Sequence, residues 1–279
     1  MRWAAAWVMT GLVGCGTVPD GTSDTADTAD TADTSNIDSG LPEDTGGTPG
    51  ETDVAPAPAL LVTVRDVAQV VLTEGVNVQY CRTGTCYRPN RDGDSFAFFG
   101  LTPGPGSLEI IDARPNAERA TVFAPIVLTE SPRTLSVEQP TVAARAILPA
   151  ERAEIELGNL FITVGADELI PADAFTDPSI DISATLATSI ALPVENGPSN
   201  ELVALWYMNP FNHTNPDPMP IRFMNAWGAV DGQLSLWQAN YGSSDWTKLA
   251  DLSIDGDGYL APQGIAGLYT ISTLAIFRN

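Results

Sequence analysis

The amino-acid sequence predicts an all-β fold, with two β-sandwich domains behind a disordered acidic tether. Short apolar segments with alternating polarity recur from Leu60 to the C-terminus, and Gly, Pro, Asn and Asp cluster between them. No helical period separates these segments, which is typical of sandwiches. Upstream of Leu60, an acidic and repetitive stretch lacks apolar alternation. We expect a signal peptide at 1–14, a lipidated cysteine and linker at 15–58, and sandwiches at 59–140 and 141–279.

The N-terminus carries the features of an export signal. Arg2 is followed by the mostly apolar segment Trp3–Val13, which is too short to cross a bilayer as a helix. The segment ends in Leu12-Val13-Gly14-Cys15, which resembles the lipobox of bacterial lipoproteins. This resemblance implies cleavage before Cys15 and acylation of its sulfur and new amine. It also implies a lipid-anchored envelope protein, and Gly16 in place of an Asp retention signal favours the outer membrane. The alternative is an ordinary secretory signal with an incidental cysteine.

The stretch after Cys15 predicts a disordered tether. Between Gly16 and Val54 there are ten acidic residues and no Lys or Arg, and Thr22–Thr34 repeats the triplet Asp-Thr-Ala. Such a segment buries too little apolar surface to offset the entropy of ordering, and its like charges extend the chain. Asp-rich repeats can mimic calcium loops, but those loops need glycines at fixed positions.

The charge balance excludes one class of partner. The chain has 35 Asp and Glu against 13 Lys and Arg, for a net charge of −22. Nucleic acid and anionic lipid headgroups are recognised by clusters of Lys and Arg, and the sequence contains none. We therefore expect no nucleic-acid partner and a membrane attachment that depends on the lipid anchor.

The other two cysteines, Cys81 and Cys86, are separated by four residues including Gly84. Outside the cytoplasm such a pair predicts a disulfide. A redox pair or half of a metal site are alternatives. The spacing is not Cys-x-x-Cys, however, and no second cysteine pair or nearby His completes a zinc site.

The residue pattern of the segment 59–140 predicts a series of short strands. The stretch Asp94-Ser-Phe-Ala-Phe-Phe-Gly-Leu-Thr-Pro-Gly104, preceded by Gly75-Val76 at a strand start and followed by Ser107-Leu-Glu-Ile, resembles the carboxypeptidase regulatory-like (transthyretin-like) sandwich. This resemblance implies a non-catalytic β-module and transfers no functional residue. The predicted strands are Leu60–Val64, Val76–Tyr80, Ser95–Phe99, Ser107–Ile111, Ala120–Phe123, Ile126–Leu128 and Thr134–Val137.

The segment 141–279 is also β-patterned, and its Ile162–Ile170 and Pro220–Phe223 stretches weakly resemble ZU5-type or immunoglobulin-like surface sandwiches. The run around Trp206 is continuously apolar, so Trp206 is predicted to lie in the core. Trp227, Tyr241 and Trp246 lie among Gly, Asn and Asp and are the candidate ligand-binding residues, as a stacking platform for sugar rings. The alternative is that they are aromatic anchors of the core. The predicted strands are Ala153–Leu157, Leu160–Val164, Ile180–Ala184, Glu201–Tyr207, Pro220–Met224, Gln233–Trp237 and Leu268–Phe277.

Two further stretches contain residue types that occur in metal or catalytic sites. Asp255, Asp257 and Gly258 match part of a calcium loop that starts at Ser253, but Gly264 stands where the bidentate Glu is needed, which favours a hairpin turn. The single histidine, His213, lies in an Asn- and Pro-rich loop and would need a neighbouring Ser and acid to serve a hydrolase. No motif for nucleophilic, metal-dependent or phosphoryl chemistry occurs.

These observations predict a non-catalytic, lipid-anchored envelope protein without a cofactor or metal. It would present β-sandwich modules for structural or adhesive roles toward an envelope protein or a glycan. The alternative is a carbohydrate- or calcium-binding surface module.

Overall fold

The fold is all-β. The computed structural model describes residues 57–114, 117–171, 181–187, 201–240 and 244–279. Within these residues every regular element is a β-strand, except one turn of 3-10 helix at Ala166–Glu168. Contacts between Cα atoms make Ala57–Asn279 one compact unit.

The first eight strands form two four-stranded sheets, with orders β4-β5-β1-β8 and β3-β2-β6-β7. Strand β1 is antiparallel to β5 and parallel to β8, and the other pairings are antiparallel. We call these two sheets the N-terminal sandwich. The strands are β1 (Leu60–Arg65), β2 (Val76–Arg82), β3 (Thr85–Tyr87), β4 (Asn90–Asp92), β5 (Ser95–Phe98), β6 (Gly104–Asp112), β7 (Val122–Leu128) and β8 (Arg133–Glu138).

Alternating apolar residues of both sheets meet in one core. On β1, Leu60, Val62 and Val64 are fully buried, because successive side chains of a strand point to opposite faces and this set shares the inner face. The ring of Tyr80 on β2 lies edge-on to Phe98 on β5, with 6.4 Å between centroids, and so joins the two sheets.

One proline interrupts the expected strand pattern without ending the strand. The predicted strands Ala120–Phe123 and Ile126–Leu128 are a single strand, β7, with Pro125 opposite Ser107 of β6. Strand β7 is the last strand of its sheet, where a residue without an N–H is tolerated because one side of the strand needs no ladder hydrogen bond.

The remaining strands form a ten-stranded sheet with the order β10-β11-β15-β18-β17-β16-β20-β13-β12-β9, and a separate pair, β14-β19. We call the ten strands the C-terminal sheet. Its end strands, β9 and β10, contact each other, so the sheet folds over on itself. The strands are β9 (Ala144–Ile147), β10 (Ala153–Leu157), β11 (Leu160–Val164), β12 (Asp181–Leu186), β13 (Leu202–Asn209), β14 (Thr214–Met219), β15 (Ile221–Phe223), β16 (Leu234–Ala239), β17 (Thr247–Ile254), β18 (Leu260–Pro262), β19 (Leu268–Thr270) and β20 (Thr273–Arg278).

The folded-over sheet encloses a second core. Trp206 on β13 is 1% exposed, and its ring lies 5.0 Å from Phe223 on β15. The prediction that Trp206 is a core residue is therefore confirmed. Leu234 and Leu236 on β16 and Leu274 and Ile276 on β20 complete the same cluster.

Residues on the two sides of the expected division at 140/141 pack against each other. Strand β13 is buried on both faces: Trp206 belongs to the second core, whereas Leu205 and Tyr207 belong to the apolar cluster that also contains the core of the N-terminal sandwich. Strand β20 divides in the same way, with Ala275 and Phe277 on the N-terminal side. Strands β13, β16 and β20 therefore form a middle layer between two cores, which explains why Ala57–Asn279 is one compact unit.

Candidate functional site

The predicted lipidation site lies outside the described residues. Cys15 precedes Ala57, where the structural description begins.

Cys81 and Cys86 form a disulfide, with their sulfur atoms 2.13 Å apart. They are directly opposite each other on β2 and β3. The hairpin between these strands turns through Thr83 and Gly84, which both have positive φ, as a two-residue hairpin turn of type I′ requires. The Arg82 guanidinium donates to the carbonyl oxygens of Thr102 and Pro103 and so holds the hairpin against the β5–β6 turn.

Of the three predicted stacking residues, Trp227 and Trp246 lie in the described part of the chain. Trp246 is 5% exposed and lies edge-on to Phe277, with 6.3 Å between centroids. This burial contradicts the expectation that its loop surroundings leave it accessible, because Phe277 on the middle layer covers its ring. Trp227 is half-buried and lies edge-on to Trp206, with centroids 5.8 Å apart. Tyr241 lies outside the described residues.

The loop that contains His213 packs into the fold. Phe211 is 7% exposed, and its ring lies 4.8 Å from that of Phe123 on β7. His213 is 2% exposed, and its Nδ1 lies 3.4 Å from the carbonyl oxygen of Phe211. Burial lowers the pKa of His213, and the hydrogen bond with Phe211 opposes this shift. This loop packs against β7 of the N-terminal sandwich. Phe211 and His213 are buried, although the Asn and Pro content of the loop suggests exposure.

The calcium-like stretch forms a hairpin turn whose acids contact an arginine. The Asp255 carboxylate accepts from the backbone amides of Asp257 and Tyr259, both at 2.9 Å, between β17 and β18. The Arg222 guanidinium lies 3.4 Å from the carboxylate of Asp257 and 3.8 Å from that of Asp255. Its other amino group binds Glu154 at 2.7 Å. The cation beside these acids is therefore the guanidinium of the chain itself.

Aromatic rings complete the surroundings of Arg222. Its guanidinium carbon lies 4.2 Å from the ring centroid of Tyr259 and 5.5 Å from that of Phe161. These two rings are edge-on to each other at 5.1 Å. The hydrogen bond to Glu154 is the main reason why the pKa of Arg222 is raised. The arrangement fits a structural ion-pair cluster on the outer face of the C-terminal sheet.

A second carboxylate, Asp112, is almost fully buried at the end of β6, where its side chain is 1% exposed. Burial alone would raise the pKa of Asp112. The Arg114 guanidinium and the backbone amides of Arg119, Arg114 and Glu118 donate to this carboxylate and lower its pKa well below the ordinary value. Arg114 in turn packs over Gly75, where a Cβ would lie 2.9 Å from the Arg114 Cγ. Asp112 therefore shapes the loop that leads to β7.

A cavity of about 190 Å³ opens beside Trp206 at the end of the second core. Small side chains make the space, because Ala143, Ala144 and Ala184 line it together with Gly158. Its lining is apolar apart from Asn159, and it brings together none of the predicted site residues.

The described residues contain no group of three or more His, Cys, Asp or Glu that could hold a metal ion. In the same part of the chain, no helix is long and apolar enough to span a membrane. Comparison of the chain with family models, with curated proteins and with solved structures finds no match. The lipobox and the resemblance to carboxypeptidase regulatory-like modules stay predictions.

Proposed function

We propose that this protein is a lipid-anchored cell-envelope protein that presents its β-unit for structural or adhesive binding, without catalysis. The observation that carries the proposal is the complete lipobox match Leu12-Val13-Gly14-Cys15 ahead of an acidic stretch and a compact β-unit that begins at Ala57. Acylation at Cys15 would hold the chain firmly, because several acyl chains bind a bilayer far more stably than one.

The order of these segments supports a presenting role. A charged chain of about 40 residues spans roughly 35 Å or more when extended by repulsion, which would hold the β-unit away from the lipid surface. The disulfide between Cys81 and Cys86 supports an exported protein, because disulfides persist in oxidising compartments.

The compact unit Ala57–Asn279, which we call the head, is packed in a way that supports a role as one body. Two cores share the middle layer of β13, β16 and β20, so the head would transmit force or present a surface as one body. Its partner would be an envelope protein or a glycan, and of the two described stacking residues Trp227 is the more exposed.

The proposal is tested by metabolic labelling with a palmitate analogue followed by membrane fractionation. The native chain should be labelled and recovered with membranes, and Cys15→Ser should lose both properties. Cys86→Ser is the matched control, because it removes a cysteine from the disulfide and should leave labelling intact. Continued labelling of Cys15→Ser would overturn the proposal.

A further inference from the structure

The carboxylate of Glu109 is buried where the N-terminal sandwich packs against the middle layer. Glu109 is on β6, next to Leu108, which is directly opposite Tyr80 of β2. The Tyr80 ring meets Phe98 of the facing sheet, so Leu108 points into the core between the two sheets and Glu109 points to the opposite face. An outer-face carboxylate is expected to be solvated, but Glu109 is only 5% exposed. Another part of the chain therefore covers the face of the β3-β2-β6-β7 sheet that carries Glu109.

The cover is the C-terminal part of the chain. Phe123 lies directly beside Glu109 in the ladder between β6 and β7 and is fully buried. Its ring contacts Phe211 at 4.8 Å, and its carbonyl oxygen accepts from the Thr273 hydroxyl at 2.9 Å. Because Glu109 and Phe123 share one face, the carboxylate lies at the contact between the two parts of the head.

The carboxylate has a neutral partner on its own sheet. The side-chain amide of Gln79, directly opposite on β2, donates to Glu109. Burial raises the pKa of Glu109, the hydrogen bond from Gln79 opposes this shift, and no charged group contributes to it. A buried carboxylate without a cation is costly when ionised, because an amide hydrogen bond replaces only part of its hydration.

The titratable groups on the packed elements do not supply a positive charge to Glu109. On β7 there are none. Tyr207 on β13 is buried and its pKa is raised by burial, and the pKa of the buried His213 is lowered by burial, so both are neutral near pH 7. Arg278 at the end of β20 binds Glu201 at 3.0 Å, and Lys248 on β17 binds Asp251 at 2.7 Å. On β2, Arg82 donates to the carbonyl oxygens of Thr102 and Pro103. Among the described residues, the printed partners of these three cations therefore do not include Glu109.

We propose that Glu109 makes the contact between the N-terminal sandwich and the middle layer tighten as the pH falls. A raised folded-state pKa means that the folded chain binds the proton more strongly than the unfolded chain does. The stability that this proton provides is fully present below the unfolded-state pKa and is lost as the pH rises through the folded-state pKa. Above that pH the contact holds an uncompensated charge, and below it the contact holds a neutral carboxyl group.

The test compares Glu109→Gln with the native chain in thermal melts between about pH 4 and about pH 8. Gln has nearly the shape of Glu and no charge. The variant should melt roughly 2–4 °C above the native chain at the upper pH and at the same temperature at the lower pH. Glu130→Gln is the matched control, because Glu130 is exposed, and it should follow the native profile. Parallel profiles for the native chain and Glu109→Gln would overturn the proposal.

Hydrogen exchange adds a local readout at neutral pH. The amides of β7 should exchange more slowly in Glu109→Gln than in the native chain, because β7 lies at the contact that the charge weakens. Unchanged exchange on β7, or a variant that is less stable than the native chain at every pH, would also overturn the proposal.

Discussion

Removal of the Phe211 ring tests whether the head melts as one unit. This ring extends from the loop after β13 and contacts Phe123 on β7, so it belongs to the core that both parts of the head share. Replacing a buried Phe by Ala costs about 3–5 kcal/mol, from lost burial and from the cavity that remains. Phe211 is 7% exposed and lies at the margin of the core, which places Phe211→Ala near the lower value of about 3 kcal/mol.

Calorimetry is the assay for this prediction. For a folded unit of this size, about 3 kcal/mol corresponds to a melting temperature that is roughly 6–12 °C lower. The shared core predicts one transition, which moves as a whole. Phe99→Ala is the matched control, because Phe99 is 42% exposed, and it should change stability by no more than about 0.5 kcal/mol. A Phe211→Ala shift as small as that of the control would refute the reasoning. Two transitions of which only one moves would refute it too.

Two further substitutions test local features of the N-terminal sandwich. Asp112→Asn should lower stability by roughly 2 kcal/mol at neutral pH, because a buried carboxylate that binds Arg114 and three amides is lost. A lowered folded-state pKa gives stability that is present above the unfolded-state pKa and is lost as the pH falls. Chemical denaturation should therefore show that the native chain and Asp112→Asn differ less in free energy of unfolding below about pH 4. A difference that stays constant with pH would contradict this. Gly106→Ala should cost roughly 1–3 kcal/mol in denaturant titrations, because its Cβ would fall against the Tyr80 hydroxyl. Gly256→Ala, where a Cβ meets open space, is its control, and equal effects would contradict the packing argument.

The strands and one core residue could be predicted from local pattern. Alternation placed β1, β2, β5, β10, β11 and β16 close to their observed positions, because a half-buried strand needs a period of two. Trp206 was predicted to be buried because its run is continuously apolar. Strands β3, β4 and β14 escaped prediction, since the residues of β3 and β4 are mostly exposed and β14 contains two prolines.

The strands of the middle layer have a recognisable sequence pattern, but the pattern alone does not show what they pack against. The runs Leu202–Tyr207 and Leu274–Phe277 are apolar at every position, which is typical of strands that are buried on both faces. The same runs also fit a strand at the centre of an isolated sandwich. Only the contacts of Leu205, Tyr207 and Phe277 with the N-terminal core distinguish the two cases.

The candidate site was harder to predict because exposure is not a local property. Trp246 lies among polar residues, yet Phe277, thirty-one positions later, covers its ring. His213 and Phe211 lie among Asn and Pro, yet they pack at the contact between the two parts of the head. Arg222 lies more than thirty residues before Asp255 and Asp257, so its place beside the calcium-like acids depends on the pairing of β15 with β18.

The anchor at Cys15 is the central claim, and mass spectrometry of the N-terminal peptide tests it most directly. The protein would be extracted from membranes with detergent and digested, and its first peptide would be identified by mass and fragmentation. We predict a chain that begins at Cys15 and carries acyl groups on its sulfur and amine. A chain that retains Met1–Gly14, or one that begins after the leader with an unmodified cysteine, would contradict it.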